Sequence, residues 1–436
     1  MKEKDIQKIH KLLKKGIWLY FFLLIFEGAL RKWFLPFLSA PLLIVRDPLV
    51  IWLLYKSWKH NMLPSNFYTL IMIFLGLLGI CTALFFGHGN LFVAIFGARI
   101  LAIHFPFMFV IGAIFKKEDV IKLGKVVLWI AVPMTVLIGL QYFSPQSAWV
   151  NRGIGGDVAG GGFSGAMGYF RPPGTFSFTS GNVMFFSLAA CFIFYFWLVK
   201  EKVNSRLLIG ATIAIVAAIP LSLSRSLIVT VIIIFLFALL AVASKPKFLG
   251  RMIIFMVLGV LVLGILAQTP FFETTTGVLT QRFENASNSE GSMSDSIANR
   301  ILGGMLSAIS GDEQLPFFGF GMGMGTNVGS SLLTGERGFL ISEGEWGRLI
   351  GEMGFVMGMM AILVRVSFSF NLFINSYKNM RVDNLLPWLL FSVGFFYIIL
   401  GQWAQPTALG FSTLLGGLIL AVSKRSNLKM LEKKDI

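Results

Sequence analysis

Eleven arginines and one lysine lie outside the basic segments that join the apolar stretches of this 436-residue chain. Arginine presents several N–H donors in a planar fork that matches phosphate oxygens, whereas lysine supplies only a compact charge. The set therefore predicts an anion-binding site. The alternative for single members is an ion pair with Glu27, Asp47 or Glu352 that locks helices together. The twelve residues are Arg31, Lys32, Arg46, Arg99, Arg152, Arg171, Arg225, Arg282, Arg300, Arg337, Arg348 and Arg365.

Six of these arginines are candidates for contact with a phosphorylated ligand. Two lie in compact motifs, one in the turn SLSRS at 222–226 and one just before the triplet GTF at 174–176. Two more flank the polar stretch ENASNSEGSMSDS at 284–296. The six candidates are Arg171, Arg225, Arg282, Arg300, Arg337 and Arg348.

Glu343 and Glu345 are the candidate proton acceptors. They are two residues apart and share a face if the segment is extended. A carboxylate there can take the proton of an attacking hydroxyl, while arginines stabilise the charge on a departing diphosphate. The alternative is a salt bridge from either glutamate to Arg337 or Arg348. Glu352 has the i,i+4 spacing for a structural pair with Arg348.

A glycine-rich run, GFGMGMG at 319–325, precedes these carboxylates. Backbone N–H groups at Gly321 and Gly323 can approach a phosphate closely and form an anion nest. A flexible hinge is the alternative. No metal site and no cofactor are predicted, because the four histidines do not cluster with the Glu343-x-Glu345 pair.

The composition is that of a membrane protein. Hydrophobic residues make up 56% of the chain, charged residues 13%, and the mean hydropathy is +0.78. A soluble domain carries about 25% charged residues, so a water-soluble globule is excluded. The net charge of +16 follows the topology of the loops and does not indicate nucleic acid. Cys81 and Cys191 lie in apolar runs, which argues against a disulfide framework.

Twelve apolar segments of bilayer-spanning length predict an all-α polytopic membrane protein. The second segment is interrupted by Arg46, Asp47 and Pro48 and could be re-entrant. The predicted spans are 16–30, 40–55, 66–86, 91–115, 121–143, 178–199, 206–222, 226–243, 251–269, 347–375, 384–401 and 404–422.

Lysine and arginine orient these spans. With both termini in the cytoplasm, the inner segments hold 25 of the 37 basic residues, as the positive-inside rule requires. The chain then divides into spans one to nine (1–269), a long outer loop (270–346), and spans ten to twelve with a cytoplasmic tail (347–436). Apolar residues at helical spacing predict a short amphipathic helix within 294–311 of the loop.

The order of several motifs resembles that of the O-antigen polymerase and ligase superfamily. These motifs are Ser-Arg-Ser at 224–226, Arg-x-x-Gly-Thr-Phe at 171–176, the loop ending in GFGMGMG, and Glu-x-Gly at 352–354. The stretch FEGALRKW at 26–33 is similar to one branch of polymerase-like proteins. The resemblance implies a GT-C-like, metal-independent, inverting glycosyltransferase. Such an enzyme takes a glycan from undecaprenyl diphosphate at the periplasmic face of a bacterial inner membrane.

The resemblance also implies roles for particular residues. Arg225 and Arg300 match arginines that bind the diphosphate. Ligases of the family carry a His-Asn pair as the supposed base, but the corresponding position here is Glu343, and no histidine lies near it. Either Glu343 or Glu345 would replace the histidine, or no base is used. This departure favours a polymerase, which transfers the glycan to a sugar hydroxyl of another lipid-linked repeat unit.

Several alternatives stay open from the sequence. A ligase would differ only in its acceptor, and a flippase or anion transporter would need charges along a path open to both sides. An assembly subunit would leave the candidate residues dispensable. The implied partners are the undecaprenyl-diphosphate-linked oligosaccharide, an acceptor glycan, the lipid bilayer and, as a further candidate, a chain-length regulator protein. Aromatic residues that line a sugar groove, or else pack on the bundle, are Phe163, Tyr169, Phe317, Phe318, Phe320, Phe339 and Trp346.

Overall fold

The computed structural model describes residues 3–199, 201–290, 315–336, 338 and 340–424, which are mainly helical. A short antiparallel hairpin pairs β1 (Phe163–Ser164) with β2 (Phe170–Arg171). Two π-helical turns, Leu30–Phe34 and Ile100–His104, interrupt the first third of the chain. The α-helices are α1 (Glu3–Ala29), α2 (Ser39–Leu42), α3 (Arg46–Lys59), α4 (Phe67–Phe85), α5 (Leu91–Arg99), α6 (Phe105–Ile114), α7 (Lys117–Phe143), α8 (Thr179–Leu198), α9 (Ser205–Leu221), α10 (Arg225–Ser244), α11 (Leu249–Ala267), α12 (Pro270–Glu290), α13 (Asn327–Thr334), α14 (Glu345–Arg381), α15 (Leu386–Ile399) and α16 (Pro406–Ser423).

The structure confirms the class of an all-α polytopic membrane protein. Each of the twelve predicted spans falls on a helical segment, although α9 and α15 are short and α1 starts with a basic stretch. The doubtful second span belongs to the helical segment Pro36–Lys59, which is long enough to cross a bilayer. Among the described residues, nine segments are long and apolar enough to span: Pro36–Lys59, Phe67–Phe85, Leu91–Ile114, Lys117–Phe143, Thr179–Leu198, Arg225–Ser244, Pro246–Ile265, Glu345–Arg381 and Pro406–Ser423.

Burial separates central helices from peripheral ones. In α8, 89% of the apolar window is buried, whereas the segment that contains α11 buries only 12%. A helix that is apolar on all sides and enclosed belongs to the core of a bundle, and an apolar helix with little burial faces lipid. Helix α8 packs against α7, α10 and α15, and α16 packs along α6 and α15. The centre of the bundle is therefore formed by α6, α8, α15 and α16.

Three contacts join segments that connect the helices at either end of the bundle. At one end, Lys14 pairs with Asp119, and an Nη1–H of Arg251 donates to the carbonyl oxygen of Leu198 at 2.7 Å. These contacts join segments that the charge distribution assigns to one side. At the other end, Trp33 donates to the Trp149 carbonyl at 3.1 Å, joining two segments assigned to the opposite side. Each of these three contacts joins segments that the charge distribution assigns to the same side.

Helix α14 has a break that shapes the loop before it. At Gly354 the backbone adopts φ 73° and ψ 169°, inside an otherwise helical run of 37 residues. A Cβ at this position would lie 2.0 Å from the Phe317 carbonyl oxygen, so only glycine fits. Helix α14 begins at Glu345, two residues before the predicted start of the tenth span. The helix predicted within 294–311 lies outside the described residues.

Candidate functional site

A cavity of about 820 Å³ opens at the end of the bundle opposite the basic connections. Its wall is formed by the start of α8, the turn between α9 and α10, the start of α14, and the segment from α15 into α16. Eight hydroxyl-bearing side chains, two amides, one arginine and two glutamates contribute to the lining, together with Phe178, Trp346 and Phe396. A concave, partly aromatic site with several convergent polar groups is typical of ligand binding.

Arg171 is the predicted arginine that lines this cavity. It lies on β2, opposite Phe163 of β1, and its guanidinium stands 4.5 Å from the centre of the Phe163 ring. The following turn is fixed to the bundle at Gly174, whose N–H donates to Gln141 Oε1 at 2.8 Å. The Gly174 carbonyl accepts hydrogen bonds from Gln141 Nε2 and, at 2.6 Å, from Lys32 Nζ. Arg171 is therefore held by an anchored backbone.

Arg225 and Arg282 are close enough to Arg171 to repel its charge. Burial, followed by the charges of Arg282 and Arg225, lowers the pKa of Arg171 to about 10. Within the described residues, the buried Nε of Arg171 has no hydrogen-bond partner. Arg282 also donates to the carbonyl of Ser164 in the same hairpin. An anion bound among these like charges would relieve their repulsion, so the group favours a negatively charged ligand.

Glu345, predicted as a proton acceptor, is instead fully engaged in ion pairs. Its carboxylate accepts hydrogen bonds from Arg348 Nε at 3.1 Å and Nη2 at 2.9 Å, and it also pairs with Arg365. The backbone N–H of Trp403 donates to it at 3.0 Å. A buried carboxylate held by two guanidinium groups is a poor proton acceptor, because the positive charges favour its ionised form. Glu345 is thus a structural residue at the cavity floor.

Arg348 belongs to the same ion-pair group and is not available to a ligand. It is 3% exposed and bridges Glu345 to Glu352, with Nη1 2.6 Å from Glu352 Oε2. The pair between Arg348 and Glu352 predicted from their spacing is confirmed. Arg365 completes the group by donating to the carbonyls of Ile398 and Gly401 at 2.8 and 3.0 Å. These contacts fix the start of α14 to the segment after α15.

Glu343 is the carboxylate that remains open to the cavity. It is exposed, lines the cavity, and its side chain makes no ion pair or hydrogen bond within the described part of the chain. Because α14 begins at Glu345, the two glutamates do not share an extended face. Glu343, which is open to the cavity, therefore fits the role of proton acceptor. Glu345, which is buried in ion pairs, fits the role of a salt-bridge partner.

A chain of amides and a hydroxyl links Glu343 to the start of α8. Gln402 Nε2 donates to the Glu343 carbonyl, and Gln405 Nε2 donates to Gln402 Oε1 at 2.6 Å. Ser180 Oγ donates to Gln405 Oε1 at 3.4 Å. All four residues line the cavity. Amides and hydroxyls of this kind can both donate to and accept from ligand hydroxyls.

The glycine run has a packing role, which corrects the anion-nest prediction. The N–H of Gly321 donates to the carbonyl of Glu352 at 3.1 Å, and that of Gly325 donates to Glu352 Oε1 at 2.9 Å. A Cβ on Gly323 would lie 2.1 Å from the carbonyl oxygen of Val93. The run is pressed between α5 and the break in α14, and neither Gly321 nor Gly323 lines the cavity.

Three other members of the arginine set form buried ion pairs, and those of Arg46 and Arg99 join different helices. Glu27 accepts from Arg31 at 3.4 Å and from Arg46 at 3.1 Å. Asp47 pairs with Arg99 at 2.7 Å. These pairs confirm that Arg31, Arg46 and Arg99, like Arg348, have the structural role that the sequence left as an alternative. The prediction that all twelve residues contribute to one anionic site was therefore too broad. Arg300 and Arg337 lie outside the described residues.

The segment Gly401–Gln405 was not predicted from the sequence as part of the site. Polar Gln402 and Gln405 between two apolar helices were the available signal, but the twelfth span was predicted to begin at 404. Of the aromatic residues predicted for a sugar groove, Trp346 lines the cavity, and Phe339 lies outside the described residues. Phe178, Phe396 and Tyr397 line it instead of the others.

Comparisons of the chain with protein-family models, with curated proteins and with solved structures give no match.

Proposed function

We propose that this chain is a metal-independent glycosyltransferase that polymerises a lipid-linked glycan, with the reaction taking place in the 820 Å³ cavity. The observation that carries the proposal is the presence of Arg171 and the open carboxylate of Glu343 on the wall of one cavity. The hydroxyls and amides between them suit a ligand rich in hydroxyl groups. The donor would be a glycan on a polyprenyl diphosphate, and the acceptor another lipid-linked repeat unit.

The proposed roles follow from the charges. Arg171, with Arg225 and Arg282 beside it, holds the diphosphate and balances the charge that develops on it as it leaves. Glu343 takes the proton from the acceptor hydroxyl. The acceptor oxygen then forms a bond to the anomeric carbon of the donor while the bond from that carbon to the diphosphate breaks, with inversion. Arg300 remains a predicted diphosphate ligand from the family resemblance.

The proposal includes an orientation. Twelve spans with both termini in the cytoplasm would turn the cavity toward the periplasm, where lipid-linked glycans are joined. Five of the described intramembrane arginines, Arg31, Arg46, Arg99, Arg348 and Arg365, are engaged in ion pairs. This arrangement supports a site at one end of the bundle over a charged path through it, and thus a transferase over a flippase.

Complementation of a deletion strain of the native host tests the proposal. The strain receives the wild-type gene, Glu343→Gln or Arg171→Ala at matched expression, and the surface polysaccharide and the lipid-linked glycan are sized. Loss of one general base or one charge-stabilising donor typically costs about 10²- to 10³-fold in rate. We expect long chains to disappear and single lipid-linked repeats to accumulate on the periplasmic side.

Two variants provide matched controls. Glu336→Gln removes an exposed loop carboxylate and Arg152→Ala removes a loop arginine, and neither residue lines the cavity; both should restore full-length polysaccharide. Repeats trapped on the cytoplasmic side would instead indicate a flippase. Free full-length polymer that is not attached to its final acceptor would indicate a ligase. Normal polysaccharide in the deletion strain would overturn the glycan assignment.

A further inference from the structure

A second, smaller cavity lies at the opposite end of the bundle, among the basic connections. It measures about 360 Å³ and is lined by Ser244, Lys245, Tyr377 and Arg381. Ser244 ends α10 and Arg381 ends α14, so the cavity lies where two spanning helices leave the membrane. Each of the four side chains can donate a hydrogen bond, and two of them are cationic. We refer to these four residues as the basic pocket.

The charges around the basic pocket are not balanced. Lys245 and Lys247 share one carboxylate, that of Asp383, with Lys245 Nζ at 3.4 Å from Oδ1. Arg381 is exposed and makes no ion pair or hydrogen bond within the described ranges. Lys245, Lys247 and Arg381 thus outnumber the single carboxylate of Asp383, which leaves a net positive charge around the pocket. The planar guanidinium of Arg381 can bind the oxygens of an anionic group.

An exposed aromatic ledge leads from the basic pocket along α14. Phe370, Phe373 and Tyr377 follow the i, i+3, i+7 spacing of one helix face, and neighbouring rings stack at 6.3 and 6.4 Å between centroids. Phe370 is 62% exposed and Tyr377 is 42% exposed. An apolar surface in this position faces the acyl chains of the bilayer. A polar pocket that continues into such a ledge can accommodate an amphiphile, with the polar end in the pocket and the apolar part along the ledge.

We propose that the basic pocket binds the phosphate headgroup of an anionic membrane lipid, with its acyl chains along the aromatic ledge. Arg381 and Lys245 would supply charge-assisted hydrogen bonds to the phosphate, and the hydroxyls of Ser244 and Tyr377 would complete the contacts. Basic pockets between spanning helices at the cytoplasmic surface suit anionic headgroups. The ledge favours a lipid over free phosphate, because only a lipid has acyl chains that can contact the aromatic rings.

Native mass spectrometry of the purified full-length chain tests this site. The protein is titrated with phosphatidylglycerol or with zwitterionic phosphatidylcholine, and bound lipids are counted. The double variant Lys245→Gln/Arg381→Gln should bind phosphatidylglycerol about 30-fold more weakly, since each cation near the surface contributes about 1 kcal/mol. The single variant Tyr377→Phe, which keeps the shape of the ledge, should weaken binding by a few-fold.

The matched control is Lys56→Gln/Lys59→Gln, which removes the same charge from another basic connection. Its phosphatidylglycerol affinity should equal that of the wild type. Equal losses in both double variants would show diffuse attraction and overturn the site, as would unchanged binding in Lys245→Gln/Arg381→Gln. Displacement of the lipid by millimolar inorganic phosphate would assign the pocket to a soluble anion. Circular dichroism melting of each variant excludes loss of fold as the cause.

Discussion

At the residue scale, the role of each charged side chain depends on which side chains lie close to it in the folded chain. The pair of Arg348 with Glu352 could be predicted, because both residues lie on one helix at i,i+4 spacing. The ion pairing of Glu345 could not be predicted in this way, since its second partner, Arg365, lies twenty residues further along α14. Two glutamates with similar sequence surroundings, Glu343 and Glu345, therefore have different environments.

The structural role of Glu345 predicts a large loss of stability in Glu345→Gln. The substitution leaves two buried guanidinium groups with less compensation, and breaking a buried ion pair costs about 3–5 kcal/mol. Asp383→Asn is the matched control, because that carboxylate is 44% exposed and its pairs contribute about 1 kcal/mol or less. Thermal unfolding in detergent should show a much lower midpoint for Glu345→Gln alone. An inactive Glu345→Gln variant with a wild-type midpoint would return Glu345 to the role of base.

At the element scale, hydropathy predicts the helices well and the packing of the loops poorly. The spans follow from continuous apolar segments, which form helices because the bilayer leaves no other backbone partner. The packing of the glycine run against α5 and Glu352 depends on contacts between segments far apart in sequence. Glycine spacing alone is compatible with an anion nest, with a flexible hinge and with close packing, so the sequence does not distinguish among them.

Two glycine substitutions distinguish packing from ligand binding in that run. Gly323 has φ 92°, and its added Cβ would meet the Val93 carbonyl at 2.1 Å, whereas Gly335 has φ 78° with no atom within 4 Å. Both Ala variants bear backbone strain of about 1–2 kcal/mol, and Gly323→Ala adds a steric cost of about 1–3 kcal/mol. We expect a lower melting midpoint for Gly323→Ala than for Gly335→Ala. Equal midpoints, with activity lost only in Gly323→Ala, would restore the anion nest.

At the scale of the whole molecule, the two cavities lie at opposite ends of one bundle and differ in character. The larger one combines Arg171, with the charges of Arg225 and Arg282 beside it, an open carboxylate and many hydroxyls, and the smaller one is a cationic pocket beside an apolar ledge. The positive-inside rule predicts that the smaller cavity faces the cytoplasm. The orientation therefore places the proposed reaction on one side of the membrane and the proposed lipid headgroup on the other.

Cysteine labelling tests this orientation directly. In a variant with Cys81 and Cys191 replaced by serine, single cysteines are introduced at Thr334, which ends α13 in the loop before α14, and at Lys59, in a basic connection; both positions are exposed. A membrane-impermeant maleimide should label Thr334→Cys in intact spheroplasts, because that loop is predicted to lie outside. Lys59→Cys should react only after permeabilisation, and the cysteine-free parent reports background. The reverse pattern would turn the large cavity toward the cytoplasm, where no translocated lipid-linked glycan is available, and would refute the polymerase proposal.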